Sequence, residues 1–223
     1  LPTSLPQGTI TQEIPFGAID RPTGEFPAQN WMDYSDADRG LALLNRGLPG
    51  NNVDQGVMLL SLLKATALKE GYGESGGFSK STKTTDGYEL GVTHEFDYAL
   101  VPHQGDWRDA GICRRGMEFN RPLLGLKATR HEGPLPQRFS LIEVDGDSLA
   151  VSTVRDTPAG MVVRVYETEG RARTGAQLRF AFPLQEACET NLIEQEARPL
   201  PCPPGSQSLV FDITPFEIKT FRV

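Results

Sequence analysis

Apolar residues recur at every second position in several short segments of this chain. The clearest segments run from Phe96 to Leu100, from Leu178 to Phe182 and from Leu209 to Ile213. Alternation with a period of two is typical of β-strands that bury one face. Residues 41–45 and 57–64 are more continuously apolar, which predicts strands that are covered on both faces. A helix over residues 57–68 fits the second segment as well, and the pattern alone leaves both structures open.

Turn-forming residues separate these segments. Asp145-Gly146-Asp147 lies between residues 138–144 and 148–155, two runs rich in β-forming residues, and predicts a hairpin. Pro158-Ala159-Gly160 precedes a further strand over residues 161–167. With 23 glycines and 17 prolines in 223 residues, the chain is rich in turns. About ten to twelve short strands predict an all-β fold, an antiparallel β-sandwich with one short helix.

The helix is predicted over residues 106–120. Asp106 or Asp109 is suited to cap its start, and Pro122 would end it. Its inward positions would be Ile112, Met117 and Phe119. No convincing domain boundary is visible, although the helix and the residues after Asn120 would separate two stacked sheet layers.

Charge and cysteine usage narrow the class of protein. The formal net charge of −7 argues against a nucleic-acid partner, because no basic patch offsets the acidic balance. No apolar run approaches the ~18 residues of a membrane span, so no membrane partner is expected. Cys113, Cys188 and Cys202 include no Cys-x-x-Cys pair, which predicts reduced thiols in a cytoplasmic protein. A disulfide between Cys188 and Cys202 is the alternative.

Residue types that carry chemistry are present but scattered. His94 and His103 are nine positions apart, which is about 30 Å along an extended strand and too far for a compact metal site. We expect His94 to point inward with Phe96 and Tyr98. The aspartates Asp33, Asp36 and Asp38 predict a solvated turn between two strands, since the glycine and distal glutamate of a calcium loop are missing. The glycine-rich run from Gly71 to Gly77 contains a Gly-x-Ser-x-Gly spacing, but it does not follow a clear strand and open a helix, so we predict no nucleophile elbow there. We therefore predict no catalytic residue, no metal ligand and no cofactor in this chain.

Four motifs, in order along the chain, resemble the C-terminal β-domain of glycoside hydrolase family 38, the α-mannosidases. They are Asn30-Trp31-Met32-Asp33, the run from Gly40 to Gly47, the run from His94 to Trp107, and the run from Pro215 to Phe221. The resemblance extends from about Ile14 to the C-terminus. It implies part of a galactose-mutarotase-like supersandwich over residues 14–223, with residues 1–13 as a linker or the cut edge of a longer chain.

The resemblance also implies where the chemistry lies. In this family an N-terminal α/β domain carries the nucleophilic aspartate and the zinc ligands, and the β-sandwich domains follow it. A chain similar to the β portion alone would be non-catalytic. Its partner would be its own catalytic domain, and zinc would be bound there. The parent enzyme would hydrolyse terminal α-mannosides with retention.

Substrate contacts from this region are expected at two places. Family members lend a basic side chain from the β region to the substrate site, and Lys64 is the matching position, where related sequences often carry arginine. Lysine lacks the planar fork of arginine, which weakens that role. Residues 71–91 are rich in Gly, Ser, Thr and Lys and predict a long exposed loop. Its Tyr72 and Tyr88 are candidates for stacking on sugar rings. Trp31 and Trp107 are predicted to pack in the interior instead.

Two other functions are consistent with the sequence. An independent carbohydrate-binding module would hold an α-mannoside oligosaccharide through Tyr72 and Tyr88. A structural or oligomerisation domain would cover an apolar face with a second copy of the chain.

Overall fold

The computed structural model describes residues 1–63, 93–130, 132–134 and 136–223. Its first part contains eight described strands and a helix. They are β1 (Thr9–Ile14), β2 (Gly17–Arg21), β3 (Phe26–Pro27), β4 (Trp31–Ser35), β5 (Arg39–Asn45), β6 (Gly50–Asp54), β7 (Val57–Leu60), β8 (Tyr98–Gln104) and α1 (Ile112–Asn120). One sheet has the order β2-β1-β4-β5-β8 and a smaller one has the order β3-β6-β7, with antiparallel pairing throughout.

Strand β4 is covered on both of its faces. Met32 and Tyr34 join the core between the two sheets, whereas Trp31 joins a second core beneath α1. The ring of Trp31 lies 5.0 Å from that of Trp107. Because both faces of β4 are covered, all five of its residues are buried. The predicted packing role of both tryptophans is confirmed.

The second part of the chain is a separate sandwich of eight strands. They are β9 (Ile142–Val144), β10 (Leu149–Thr157), β11 (Gly160–Glu167), β12 (Arg173–Phe180), β13 (Cys188–Thr190), β14 (Arg198–Pro199), β15 (Ser208–Ile213) and β16 (Ile218–Arg222). The sheets have the orders β10-β11-β16-β13-β14 and β15-β12-β9. Leu178, Leu209 and Phe221 are fully buried between them. Over the residues that the structure describes, the predicted all-β antiparallel fold with one helix is confirmed.

The predicted hairpin at Asp145-Gly146-Asp147 is wrong. β9 pairs with β12, and β10 pairs with β11, so this turn joins strands of two different sheets. Val144 and Leu149, on either side of the turn, both contact the same core. Crossing from one sheet to the other lets the two strands cover that core from opposite sides.

The helix is shorter than predicted. It starts at Ile112, because residues before it form a turn in which the Asp106 carboxylate accepts hydrogen bonds from the N–H groups of Arg108 and Asp109. Gly111 takes the left-handed conformation at φ 61° and forms the N-cap without a side-chain hydrogen bond. Ile112 is buried as predicted, and the other two inward positions pack against the same core.

The predicted inward face of the strand around residue 98 is also wrong. β8 begins at Tyr98, and His94, Phe96 and Tyr98 are all exposed. Ala99 and Val101 contact the core under α1 instead. In register, these two residues lie opposite Leu44 and Ala42 of β5. The residues of β8 with the smaller side chains therefore fill the space beneath the helix.

Three further expectations can be compared with the structure: the linker at the start of the chain, the helix from residue 57 and the disulfide. The predicted linker over residues 1–13 includes most of β1, which pairs with β2 and β4, and Leu5 is buried in the core between the sheets. Residues 57–60 form a strand, β7, rather than the start of a helix. All three cysteines are free, so Cys188 and Cys202 are not joined. In the described ranges, no helix is long and apolar enough to cross a membrane.

Candidate functional site

The side chains predicted to contact substrate lie outside the described residues. Lys64, Tyr72 and Tyr88 all fall in the range 64–92, as does the predicted exposed loop. Their roles stay predictions. The described residues nevertheless contain two buried polar clusters, both on the face of the large sheet that α1 covers.

The first cluster joins β4 to β8 across the sheet. Asp33 is fully buried, and its two carboxylate oxygens accept hydrogen bonds from His103 Nε2 at 2.8 Å and from Ser35 Oγ at 2.6 Å. Gly40 lies between β4 and β8 in the sheet, and a Cβ atom there would lie 2.4 Å from Cε1 of His103. Only glycine leaves room for the imidazole at this position.

The electrostatics of this cluster make it a structural pair. The hydrogen bond to Asp33 raises the pKa of His103, although burial of the imidazole opposes the shift. Ser35 donates its hydroxyl to the carboxylate rather than to the imidazole, so the three residues do not form the serine–histidine contact of a nucleophilic catalyst. The Asp33 carboxylate instead holds the histidine and the serine in place.

Sequence reasoning missed this pair. The predicted solvated turn is wrong for Asp33, because this residue lies inside β4 and is fully buried. The assignment holds for Asp36, whose exposed carboxylate accepts hydrogen bonds from the N–H groups of Asp38 and Arg39. Asp33 and His103 are 70 positions apart. The signal that was present is that both lie in motifs that resemble the same family.

The second cluster surrounds Glu13 on β1. This residue is 5% exposed, and Asn30 donates its backbone N–H to Glu13 Oε2 at 2.7 Å. Burial raises the pKa of Glu13 to about 7, although the hydrogen bonds from Asn30 oppose the shift. The carboxyl group is therefore divided between its neutral and charged forms near neutral pH. Glu13 borders a cavity of about 270 Å³ between the two sandwiches. No sequence pattern pointed to it.

Three backbone hydrogen bonds to one carboxylate stabilise the junction between the sandwiches. Glu167 is fully buried and accepts hydrogen bonds from the N–H groups of Glu169, Gly170 and Phe216. The ring of Phe216 lies 3.5 Å from where a Cβ atom would sit at Gly17 in the β1–β2 turn. The last turn of the chain thus contacts the first sandwich.

A larger, open cavity of about 510 Å³ lies at the start of α1. Two of its arginines pair with acids: Arg114 with Glu118 and Asp147, and Arg108 with Asp106. Both guanidinium and carboxylate groups line the cavity, so it does not present a surface of one sign. Among the described residues, no group of three or more His, Cys, Asp or Glu side chains could hold a metal ion.

Apolar side chains are exposed in the segment that leaves α1. We call residues 122–130 the apolar arm, since Leu123, Leu124 and Leu126 on it are 100%, 97% and 96% exposed. The outer face of β8 adds Tyr98 and Leu100, which are also exposed. Isolated surface leucines are ordinary, but three within four residues form a contiguous apolar surface.

Comparison with known proteins gives a consistent result. Residues 1–71 match the glycosyl hydrolases family 38 C-terminal domain, and residues 148–221 match the glycosyl hydrolases family 38 C-terminal beta sandwich domain. The chain is 30% identical to alpha-mannosidase 2C1 of Mus musculus over 98% of its length, which is 21% of that protein. It is 31% identical to alpha-mannosidase 2C1 of Homo sapiens over 87% of its length, or 18% of that protein.

A solved structure shares the fold. The crystal structure of a protein in glycosyl hydrolase family 38 from Enterococcus faecalis matches with a TM-score of 0.75 at 19% identity, covering 99% of this chain and 25% of that one. The chain thus spans about a fifth of the length of the curated relatives it matches.

Proposed function

Because this chain belongs to the C-terminal region of glycoside hydrolase family 38, we propose that it is a non-catalytic β-sandwich domain that supports the hydrolysis of terminal α-mannosides by a catalytic domain absent from this chain. Zinc would be bound in that catalytic domain, as the resemblance to family 38 implies. The partner is the catalytic part of the same enzyme, which accords with the length of the relatives.

The apolar arm carries this proposal. Full burial of one leucine side chain contributes roughly 1.5–3 kcal/mol, so covering Leu123, Leu124 and Leu126 would contribute roughly 5–9 kcal/mol. Leaving three leucines in water is unfavourable by the same amount. In sequence, the arm lies between α1 of the first sandwich and β9 of the second. We infer that the catalytic part covers the arm and that the β region supports it from behind.

The first test measures activity of this chain alone and together with the catalytic part of its parent enzyme. The chain alone is expected to release no product from an aryl α-mannoside. Mixed with the separately produced catalytic part, it is expected to form a complex that hydrolyses the substrate faster than the catalytic part does alone. Turnover by the chain alone would disprove the assigned non-catalytic role.

The second test locates the contact. Serine replaces the three leucines of the arm in one variant, and a control variant carries Leu192→Ser, Ile193→Ser and Val210→Ser, three apolar residues exposed elsewhere. The arm variant is expected to bind the catalytic part at least about a hundredfold more weakly, and the control to bind normally. Equal binding by both variants would contradict the docking surface. Self-association of the unmodified chain that the arm variant abolishes would mean that a second copy covers the arm instead.

A further inference from the structure

The cavity beside Glu13 is built from both sandwiches. Glu13 and Met117 line it from the first, and Ser152, Thr153 and Tyr166 line it from the second. β10 carries a bulge between Val151 and Thr153, which breaks the alternation of its side chains at this place. Bulges of this kind re-aim side chains and are common beside binding sites. The cavity is thus shaped by a local irregularity that the sandwich fold itself does not require.

Two side chains offer hydrogen bonds to a ligand in this cavity. When Glu13 is protonated, its carboxyl group both donates and accepts. The hydroxyl of Tyr166 contacts only the sulfur of Met117, at 3.6 Å, among the hydrogen bonds of the described residues. A thioether is a weak acceptor, so an oxygen atom of a ligand would replace it favourably.

Phe16 supplies an aromatic wall. Its ring packs edge-to-face on Tyr166 with 5.1 Å between ring centroids. Its backbone lies in the left-handed region at φ 59°, a conformation that costs a bulky residue on the order of 1 kcal/mol. Strained residues of this kind concentrate at binding sites. Phe16 lies in the two-residue turn between β1 and β2, and this turn places its ring beside Tyr166.

The charges decide the class of ligand. A cation in this cavity would face the guanidinium of Arg121, and an anion would find no second basic side chain beside Arg121 among the described residues of the lining. The volume of about 270 Å³ lies below the range of roughly 300–1,000 Å³ that is typical of drug-sized ligands. We propose that this cavity binds an uncharged molecule rich in hydroxyl groups and of about the size of one monosaccharide. Glu13 and Tyr166 hydrogen-bond to it, and Phe16 packs against its apolar face.

The test uses the whole 223-residue chain and follows its amide signals by NMR. The probes are methyl α-D-mannopyranoside and myo-inositol, with glucosamine and glucuronate as charged counterparts of similar size. The uncharged probes are expected to cause saturable shifts at Asn30, Ser152 and Tyr166, and the charged ones to bind at least about tenfold more weakly. Shifts confined to residues 64–92, or no shifts at high millimolar concentration, would overturn the proposal. A mannose disaccharide distinguishes two sources of the ligand. A site for a free monosaccharide would reject the second ring, whereas a site for the end of a glycan would accept it.

A matched pair of variants tests the hydrogen bond from the tyrosine. Tyr166→Phe is expected to weaken binding about threefold to tenfold, whereas Tyr98→Phe on the exposed face of β8 is expected to have no effect. Equal affinities of both variants would refute the assigned contact. If Tyr166→Phe does not fold, Ser152→Leu, which fills the cavity, is expected to abolish binding.

The pH dependence gives an independent readout. The groups that face Glu13 are Cys113 on α1, Tyr166 on β11 and Arg121, and burial raises the pKa of both the thiol and the phenol, which stay neutral near pH 7. Glu13 alone among them changes charge there. Affinity is expected to fall above about pH 7 as the carboxyl group loses its proton. Glu13→Gln keeps a donor and an acceptor and should bind independently of pH. The same fall in affinity in this variant would contradict the role of Glu13.

Discussion

Replacing Asp33 removes the carboxylate that joins β4 to β8, and the structure sets the size of the effect. In Asp33→Ala both hydrogen bonds are lost, and the buried His103 and Ser35 side chains keep no acceptor in their place. Removal of one member of a buried pair typically costs about 3–5 kcal/mol in the free energy of unfolding. In Asp33→Asn the amide oxygen still accepts a hydrogen bond, so a loss of about 1.5–3 kcal/mol is expected.

The sign of the pH dependence follows from the histidine. Its pKa is raised above the ordinary value of 6.5, so the folded protein holds this proton more tightly than the unfolded chain. The stabilisation from the charged pair is therefore complete below about pH 6.5 and is lost as the pH rises through the raised pKa of the folded state. In Asp33→Asn the free energy of unfolding should fall much less with rising pH, because the amide does not attract the imidazolium.

Urea unfolding, followed by the fluorescence of the two buried tryptophans, measures both effects. Wild type and Asp33→Asn are compared at about pH 5.5 and about pH 9, which bracket the ordinary histidine pKa. Asp54→Asn, an exposed carboxylate at the end of β6, is the control and should unfold as wild type does. Glu13, whose pKa is also raised, contributes equally to each protein and cancels in the comparison. An unchanged decline with pH in Asp33→Asn would refute the charged pair.

Three further outcomes follow from the interior of the first sandwich. Gly40→Ala should destabilise the protein by about 1–3 kcal/mol in urea unfolding, because the new methyl group overlaps the imidazole of His103. Trp107→Ala should cost about 3–5 kcal/mol and leave a cavity under α1, measured in the same way. Burial raises the pKa of the Cys113 thiol to about 12, so it should react with a disulfide reagent far more slowly than Cys202, and equal rates would contradict this.

The strands were largely predictable because their signal is local. Alternation in residues 178–182 and 209–213 identified β12 and β15. The apolar run over residues 57–64 fitted both a strand and a helix, and the structure shows the strand β7. Alternation alone misled at residues 96–100. There the large residues face out, and the smaller side chains of Ala99 and Val101 lie beneath α1. Which face of a strand is buried depends on the element that covers it, and that element is distant in the sequence.

The candidate sites were hardly predictable. Glu13 and Tyr166 belong to different sandwiches, and nothing in their local sequence connects them. The sequence groups Asp33 with Asp36 and Asp38 as aspartates of one turn. Only the last two lie at the turn, and Asp33 lies inside β4. Asp33 and Asp36 each come two positions after an aromatic residue, so the buried acid and the surface acid have the same local sequence signal.

By itself, the sequence determined the all-β class, the single helix near residue 112, the interior tryptophans and the likeness to family 38. Each of these depends on short-range periodicity or on motifs of a few residues. Tertiary structure alone decided that β9 and β10 belong to different sheets, that His103 meets Asp33, and that a cavity opens between the sandwiches. These features arise from contacts between residues that are far apart in the chain. Such contacts depend on the volume and charge of the side chains that meet, and neighbouring residues in the sequence carry no signal for them.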